Sequence, residues 1–139
     1  RTIGVDRSAA MLSTAQARLS EMDTAELRCG ELESLPIEDE ELDLAILALV
    51  LHYIVDPRAV LSEVMRTLAP GGKVLVLDMR RHDRGVTFSK NMGHVWPGFD
   101  FEQLEAWLTD VRFSSIRFQA LTPDPDASGP LLFLASARA

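Results

Sequence analysis

The sequence predicts an open α/β fold: a doubly wound, mainly parallel sheet that ends in a C-terminal antiparallel strand pair. Three observations lead there. Short apolar runs stop at an acid or a small residue, at Thr2–Asp6, Leu42–Ala48 and Lys73–Asp78. Helix-period stripes lie between them. The run Leu68-Ala-Pro-Gly-Gly-Lys-Val-Leu-Val-Leu-Asp78 joins a helix end, a Pro-Gly-Gly stop and an unbroken apolar strand. Strands that alternate with helices and read as continuous apolar runs belong to a parallel sheet covered by helices.

Taken in order, Thr2–Val5 is a short strand that stops at Asp6. Ser8 can cap a helix whose apolar face is Met11, Ala15, Leu19 and Met22. Glu26–Cys29 reads as a second strand, followed by Gly30 and an acidic stretch from Glu31 to Asp43 broken by the turn signal Leu35-Pro36. Leu42–Ala48 is nearly continuous apolar, which predicts a strand in the middle of the sheet with both faces covered. Asp56-Pro57 combines an N-cap with the residue best suited to the first helical position. Val60, Leu61, Val64, Met65 and Leu68 then form one stripe. That helix is expected to stop at Pro70-Gly71-Gly72, and Lys73–Leu77 to be the next buried strand.

From Met79 to Gly98 the chain changes character, with three arginines, two histidines, three glycines and no clear period, which predicts a long functional loop. Asp100 and Gln103 resemble a capping box before the stripe Leu104, Trp107, Leu108 and Val111. Ser115–Leu121 and Leu131–Ala137 are two strands around a turn-rich link, and so short a link predicts antiparallel neighbours. In a sheet of this kind ligands sit beyond the carboxyl ends of the strands, which here are Asp6, Gly30-Glu31, Ala48-Leu49 and Asp78-Met79.

Composition narrows the function. The 139 residues carry 14 Lys and Arg against 21 Asp and Glu, a formal charge of −7, which argues against nucleic-acid binding by this segment. The one cationic cluster, Arg80, Arg81 and Arg84, reads as solvated loop or as an anion contact. A single cysteine, Cys29, excludes an internal disulfide and a cysteine-rich zinc site; its place in an apolar strand predicts a buried, inert thiol. No apolar run approaches the roughly 18 residues of a membrane span, and no stretch reads as a signal peptide. A cytoplasmic protein is therefore expected, although a chain starting at Arg1 can have lost an earlier address.

Five segments carry a resemblance: Ile3-Gly-Val-Asp6-Arg-Ser-Ala-Ala-Met-Leu12, Gly30-Glu-Leu-Glu-Ser-Leu-Pro36, Leu42-Asp-Leu-Ala-Ile-Leu-Ala48, Val50-Leu-His-Tyr-Ile-Val-Asp-Pro57, and Glu63-Val-Met-Arg-Thr-Leu-Ala-Pro-Gly-Gly-Lys73. In this order and spacing they resemble the class I S-adenosylmethionine-dependent methyltransferases, Rossmann-like enzymes. Asp78-Met-Arg-Arg-His-Asp83 and Gly93-His-Val-Trp-Pro-Gly-Phe99 are similar to methyltransferase domains fused to ArsR-type transcriptional regulators.

The resemblance implies S-adenosyl-L-methionine as cofactor and a small-molecule methyl acceptor. It implies Asp6, with Arg7 beside it, as the ribose ligand, since a carboxylate can accept both hydroxyls. It also implies Glu31 at the adenine amino group, the Leu32 N–H at the adenine ring, and Ala48 and Leu49 beneath the methionine part. Methyl transfer from a sulfonium is an in-line displacement in which positioning does much of the work. If a base is needed, His82 and His94 are the candidates. Trp96, Phe99 and Met92 can wall an acceptor pocket or pack a helix, and His52 can pack near the site or take part in chemistry. No metal is expected, and the lone cysteine weighs against arsenite as acceptor.

In the family a first strand and a glycine-rich turn precede the position of Arg1. Residues 1–139 are therefore expected to be the C-terminal portion of a methyltransferase-like domain, with two sheet edges left unpaired. The gap would be filled by a longer protein, by re-pairing or by association, a homodimer included. The isolated chain is expected to bind cofactor weakly and to be inactive. The competing reading is a non-catalytic cofactor-sensing or dimerisation module of a transcriptional regulator. A nicotinamide-dependent dehydrogenase shares the acid after the strand but not the Leu-Pro and Leu-His-Tyr segments.

Overall fold

A computed structural model describes residues 1–83, 93–123, 126 and 129–139. The expectations for Arg84 and Met92 lie outside the described residues. The chain forms two compact units, Arg1–Glu38 and Asp39–Ala139.

In the first unit β1 (Thr2–Asp6), α1 (Ala9–Arg18) and β2 (Ala25–Cys29) make a strand-helix-strand unit in which β1 and β2 are parallel, with Asp6 opposite Cys29. Ser8 caps α1 as the sequence predicts, its Oγ accepting the Met11 N–H at 3.3 Å. The expected apolar face of α1 is not buried, however. No α1 residue is buried, Met11 is exposed, and Met22 lies beyond the helix end, because a two-stranded sheet is too narrow to cover a helix face. Cys29 is likewise exposed, not buried, at the end of a strand with one neighbour. Gly30 permits the next turn: a Cβ there would stand 2.5 Å from Pro36 Cδ, so only glycine lets Leu35-Pro36 fold back on the strand end.

The second unit holds a four-stranded sheet in the order β3-β4-β6-β5, from β3 (Leu42–Ala48), β4 (Leu68–Met79), β5 (Ser114–Ala120) and β6 (Leu132–Arg138). β3 and β4 are parallel; β6 is antiparallel to both β4 and β5, as the short link requires. Two helices, α2 (Pro57–Thr67) and α3 (Phe101–Asp110), close the core. Asp56 caps α2 by accepting the Arg58 and Ala59 N–H groups, and Val60, Leu61 and Val64 bury the predicted stripe. They meet a core that includes Leu104, Leu108, Val74, Val76 and Phe133.

Three expectations change here. The helix ends at Thr67, and Pro70-Gly71-Gly72 lies inside β4, not before it. The backbone of that stretch stays in use, since Gly71 N–H reaches the Ala139 carbonyl and Ala139 N–H the Gly72 carbonyl. Asp100 stands at the N-cap of α3 but does not cap it; the Arg81 guanidinium engages its carboxylate and also reaches Gln103. β3, read as a doubly covered central strand, pairs with β4 alone in its sheet. Ala45 and Leu47 face the core while Leu44 and Ile46 are exposed, so the continuous apolar run is half covered.

Beyond β4 the chain is joined by a strap, residues 93–99. Phe99 N–H bonds the Met79 carbonyl, Arg81 N–H the Phe99 carbonyl and His82 N–H the Pro97 carbonyl, all at 2.9–3.0 Å. Gly98 makes this approach possible, with φ +82° and a virtual Cβ 2.4 Å from the Arg80 carbonyl oxygen.

Gly98→Ala should therefore cost about 2–4 kcal/mol, combining left-handed strain with backbone overlap. Urea unfolding against wild type measures it, and a loss below about 0.5 kcal/mol, the scatter of a neutral surface change, would contradict the strap geometry. A second expectation concerns acid. Hydrogen bonds from Arg28 and then Arg1 lower the Glu26 carboxyl from 4.5 to about 2. A depressed carboxylate stabilises above its unfolded value and loses that contribution as pH falls through the folded one. Glu26→Gln should flatten the stability profile of the chain between pH 4.5 and about 2, and about 1 M salt should shrink the difference, because the pair is exposed.

Candidate functional site

The predicted ligand residues gather at strand ends within each unit. In the first, Asp6 closes β1 and its Oδ1 accepts the Ser8 N–H at 2.7 Å. That bond holds the carboxylate in place and leaves Oδ2 without a hydrogen-bond partner among the described residues. The Gly30 N–H bonds the Asp6 carbonyl at 3.2 Å, which fixes the acid beside Gly30-Glu31-Leu32 at the end of the neighbouring strand. Glu31 is exposed, and its carbonyl accepts the Ser34 N–H to close a tight turn. The Leu32 N–H makes no hydrogen bond among the described residues, so it remains a donor. Arg7 is exposed, and its carbonyl faces the Cys29 thiol at 3.8 Å. An anionic acceptor pair and a spare backbone donor at adjacent parallel strand ends suit a sugar with vicinal hydroxyls and a heterocycle edge.

In the second unit Ala48 ends β3 beside Leu77 of β4. Leu49 follows in the left-handed region, φ 56°, while its N–H bonds the Leu77 carbonyl at 2.8 Å. A γ-branched residue held there is strained, and such strain concentrates at functional turns. The chain then enters a 3₁₀ turn, Leu51–Tyr53, at the same end of the sheet.

That turn is tied to β4 by a carboxylate whose role the sequence reading missed. Asp78 is fully buried. Its Oδ2 accepts the Leu51 N–H at 3.1 Å, and its Oδ1 accepts the Met79 N–H and meets His52 Nδ1, each at 2.7 Å. Both carboxylate oxygens already accept backbone N–H groups, so the ring proton of His52 is assigned to Nδ1, which donates to Oδ1. A signal was present in the sequence: an acid at the end of one parallel strand and a histidine four residues past the end of its neighbour.

His94, on the strap, packs edge-on against His52 with ring centroids 4.5 Å apart, and Tyr53 lies 4.2 Å from His52. Burial, and after it the nearness of His52 and His82, lowers the His94 pKa from 6.5, while Asp78 opposes the shift. The two histidines expected from the sequence are thus close enough to interact, and His94 is biased towards the neutral imidazole that can accept a proton. Trp96 and Phe99 pack with Trp107 of α3, so they serve the helix-packing role. Arg80 lies over the Phe101 ring, and Arg81 holds Asp100.

No described helix is long and apolar enough to cross a membrane. The family profile described as a methyltransferase domain matches residues 1–76. A demethylmenaquinone methyltransferase of Clavibacter sepedonicus is 24% identical over 86% of this chain and 59% of its own length. A 2-phytyl-1,4-naphthoquinone methyltransferase of Synechococcus elongatus is 36% identical over 58% of this chain and 36% of its own. The chain thus spans less than two thirds of the length of each of these relatives. Among solved structures, phosphoethanolamine N-methyltransferase 2 of Haemonchus contortus, in complex with S-adenosyl-L-methionine, aligns with 98% of this chain and 42% of its own, at TM-score 0.81 and 19% identity. That likeness extends the same α/β fold beyond the matched segment, and S-adenosyl-L-methionine is the cofactor of the family. With more than half of its residues matched by that profile, the chain belongs to the methyltransferase domain family.

Proposed function

We propose that this chain serves S-adenosyl-L-methionine-dependent methyl transfer to a small-molecule acceptor. The observation that carries the reading is the constellation of Asp6, Gly30, Glu31 and Leu32. One carboxylate oxygen is anchored by the Ser8 N–H and the other is without a bond, beside an unused backbone donor. The donor set fits an adenosine: Asp6 takes the ribose hydroxyls, Leu32 N–H a ring nitrogen, and Glu31 the exocyclic amine. Arg7 is a neighbouring cation; Ala48 and Leu49 are assigned to the methionine part on the resemblance of the sequence alone. When bound, the sulfonium supplies an activated methyl group.

The chain's own residues then bind, orient and exclude water. Rigid strand ends suit this work, since a near-attack geometry removes much of the barrier. His82 and His94 are the residues assigned to proton handling, the second aided by its lowered proton affinity. The narrower resemblance to domains of ArsR-type regulators, a cytoplasmic location and association with a second copy belong to the same proposal.

Calorimetry with S-adenosylhomocysteine tests the cofactor assignment. In a protein that carries this chain behind the family's first strand and glycine-rich turn, Asp6→Ala should weaken binding by about 1.5–3 kcal/mol, the range for hydrogen bonds to a charged group, which is roughly 10- to 150-fold in Kd. Equal affinity in a folded variant would remove Asp6 from the site. Transfer of tritiated methyl groups to two probes, 1,4-dihydroxynaphthalene and histamine, tests the reaction.

A further inference from the structure

We propose that His52 is a catalytic base of the transfer and Asp78 its positioning residue, with His52 Nε2 taking the proton of the acceptor's O–H or N–H. The inference rests on the methyl-transfer reading and extends it to a residue outside the His82 and His94 pair.

Three observations carry it. First, the imidazole is 3% exposed and its Nδ1 is held by Asp78 at 2.7 Å, while Nε2 has no hydrogen-bond partner among the described residues. A residue needed only to tie the turn to β4 would use one donor. An imidazole adds a second polar atom, Nε2, which no described residue bonds and which is not among the buried atoms without a partner, so it keeps an opening through which a bound molecule can reach it. Second, Asp78 fixes the tautomer. Because the carboxylate already accepts the Leu51 and Met79 N–H groups, it accepts a third hydrogen bond from Nδ1–H, which leaves the lone pair on Nε2. Third, the pair stands where β3 and β4 end, the side on which α/β sheets place their ligands. The groups facing the imidazole are Asp78 from β4, Tyr53 from its own turn and His94 from the strap, with His82 close to His94.

The step balances. The acceptor's X–H bond breaks and its electron pair forms the X–CH3 bond. The S–CH3 bond breaks with its pair on sulfur, leaving a thioether, and the proton moves to Nε2. One positive charge passes from sulfonium to imidazolium, where the Asp78 carboxylate stabilises it, and the proton leaves to solvent before the next turnover.

Two measurements decide the matter. Nitrogen-15 imidazole spectra of the free protein near pH 7.5, above the ordinary histidine range, should show His52 protonated on Nδ1 and bare on Nε2, with Asp78→Asn disturbing that state. A proton on Nε2 would overturn the proposal. In the kinetic arm, run on a protein that carries this chain behind the family's first strand and glycine-rich turn, His52→Gln should lower kcat towards the two probes by about 100-fold or more, the lower range for a proton-transfer residue. It should also abolish the acid limb of the pH profile, with S-adenosylhomocysteine affinity within about twofold. Asp78→Asn should lower kcat more than it changes KM. If activity, cofactor affinity and melting temperature fall together while the pH profile keeps its shape, His52 is structural and the proposal fails. If wild type methylates neither probe, the transfer reading fails for those acceptors, and the spectra still decide the state of His52.

Discussion

The buried carboxylate of Asp78 is the constraint on which the carboxyl end of the β3 and β4 strands depends. An isolated ionised carboxylate cannot be taken out of water without several kcal/mol of compensation. Here the compensation comes from two backbone N–H groups and one imidazole. Each donor belongs to something that must stay put: Leu51 and His52 to the 3₁₀ turn, Met79 to the strand itself. The His52 carbonyl extends the network by accepting the Val95 and Trp96 N–H groups, and the Trp96 indole N–H returns to the Ile54 carbonyl. Turn, strand and strap are therefore held by one chain of hydrogen bonds that starts at one acid.

β4 can support that network because it is paired on both sides, parallel to β3 and antiparallel to β6. Its end is the stiffest ground available to a polar group. The strained Leu49 makes sense in the same terms. Its N–H is committed to the Leu77 carbonyl, so the backbone must reverse direction within one residue to bring the turn over Asp78. A left-handed residue does that at a cost of order 1–3 kcal/mol, which the paired strands around it absorb.

Much of the fold was legible because its signals are local. Alternating strands and helices, the Asp56-Pro57 start of α2 and the antiparallel final pair follow from residue order alone. The misreadings share a cause, which is that tertiary neighbours decide burial. An apolar run cannot reveal whether a second strand will pair with it, so Leu44 and Ile46 were expected inside and lie outside, and Cys29 likewise. Asp100 looked like a cap until Arg81, distant in sequence, claimed its carboxylate. At the site, the acids at strand ends could be named from pattern. The His52–Asp78 pair left only a faint signal, since it joins residues 26 apart and its two halves meet only when the strands lie side by side.

The half-covered β3 has a consequence for how the chain behaves in solution. A strand with one free edge and apolar side chains on its open face is a template for unwanted pairing with other chains. Its flanks carry Glu38, Asp39, Glu40 and Glu41 before it and Asp43 within it. Asp39 is engaged by the Arg66 guanidinium, but Asp43 is exposed within the strand itself, where a charge opposes edge pairing with another chain. The strand is thereby guarded from within, one charged side chain interrupting the apolar run that aggregation would need.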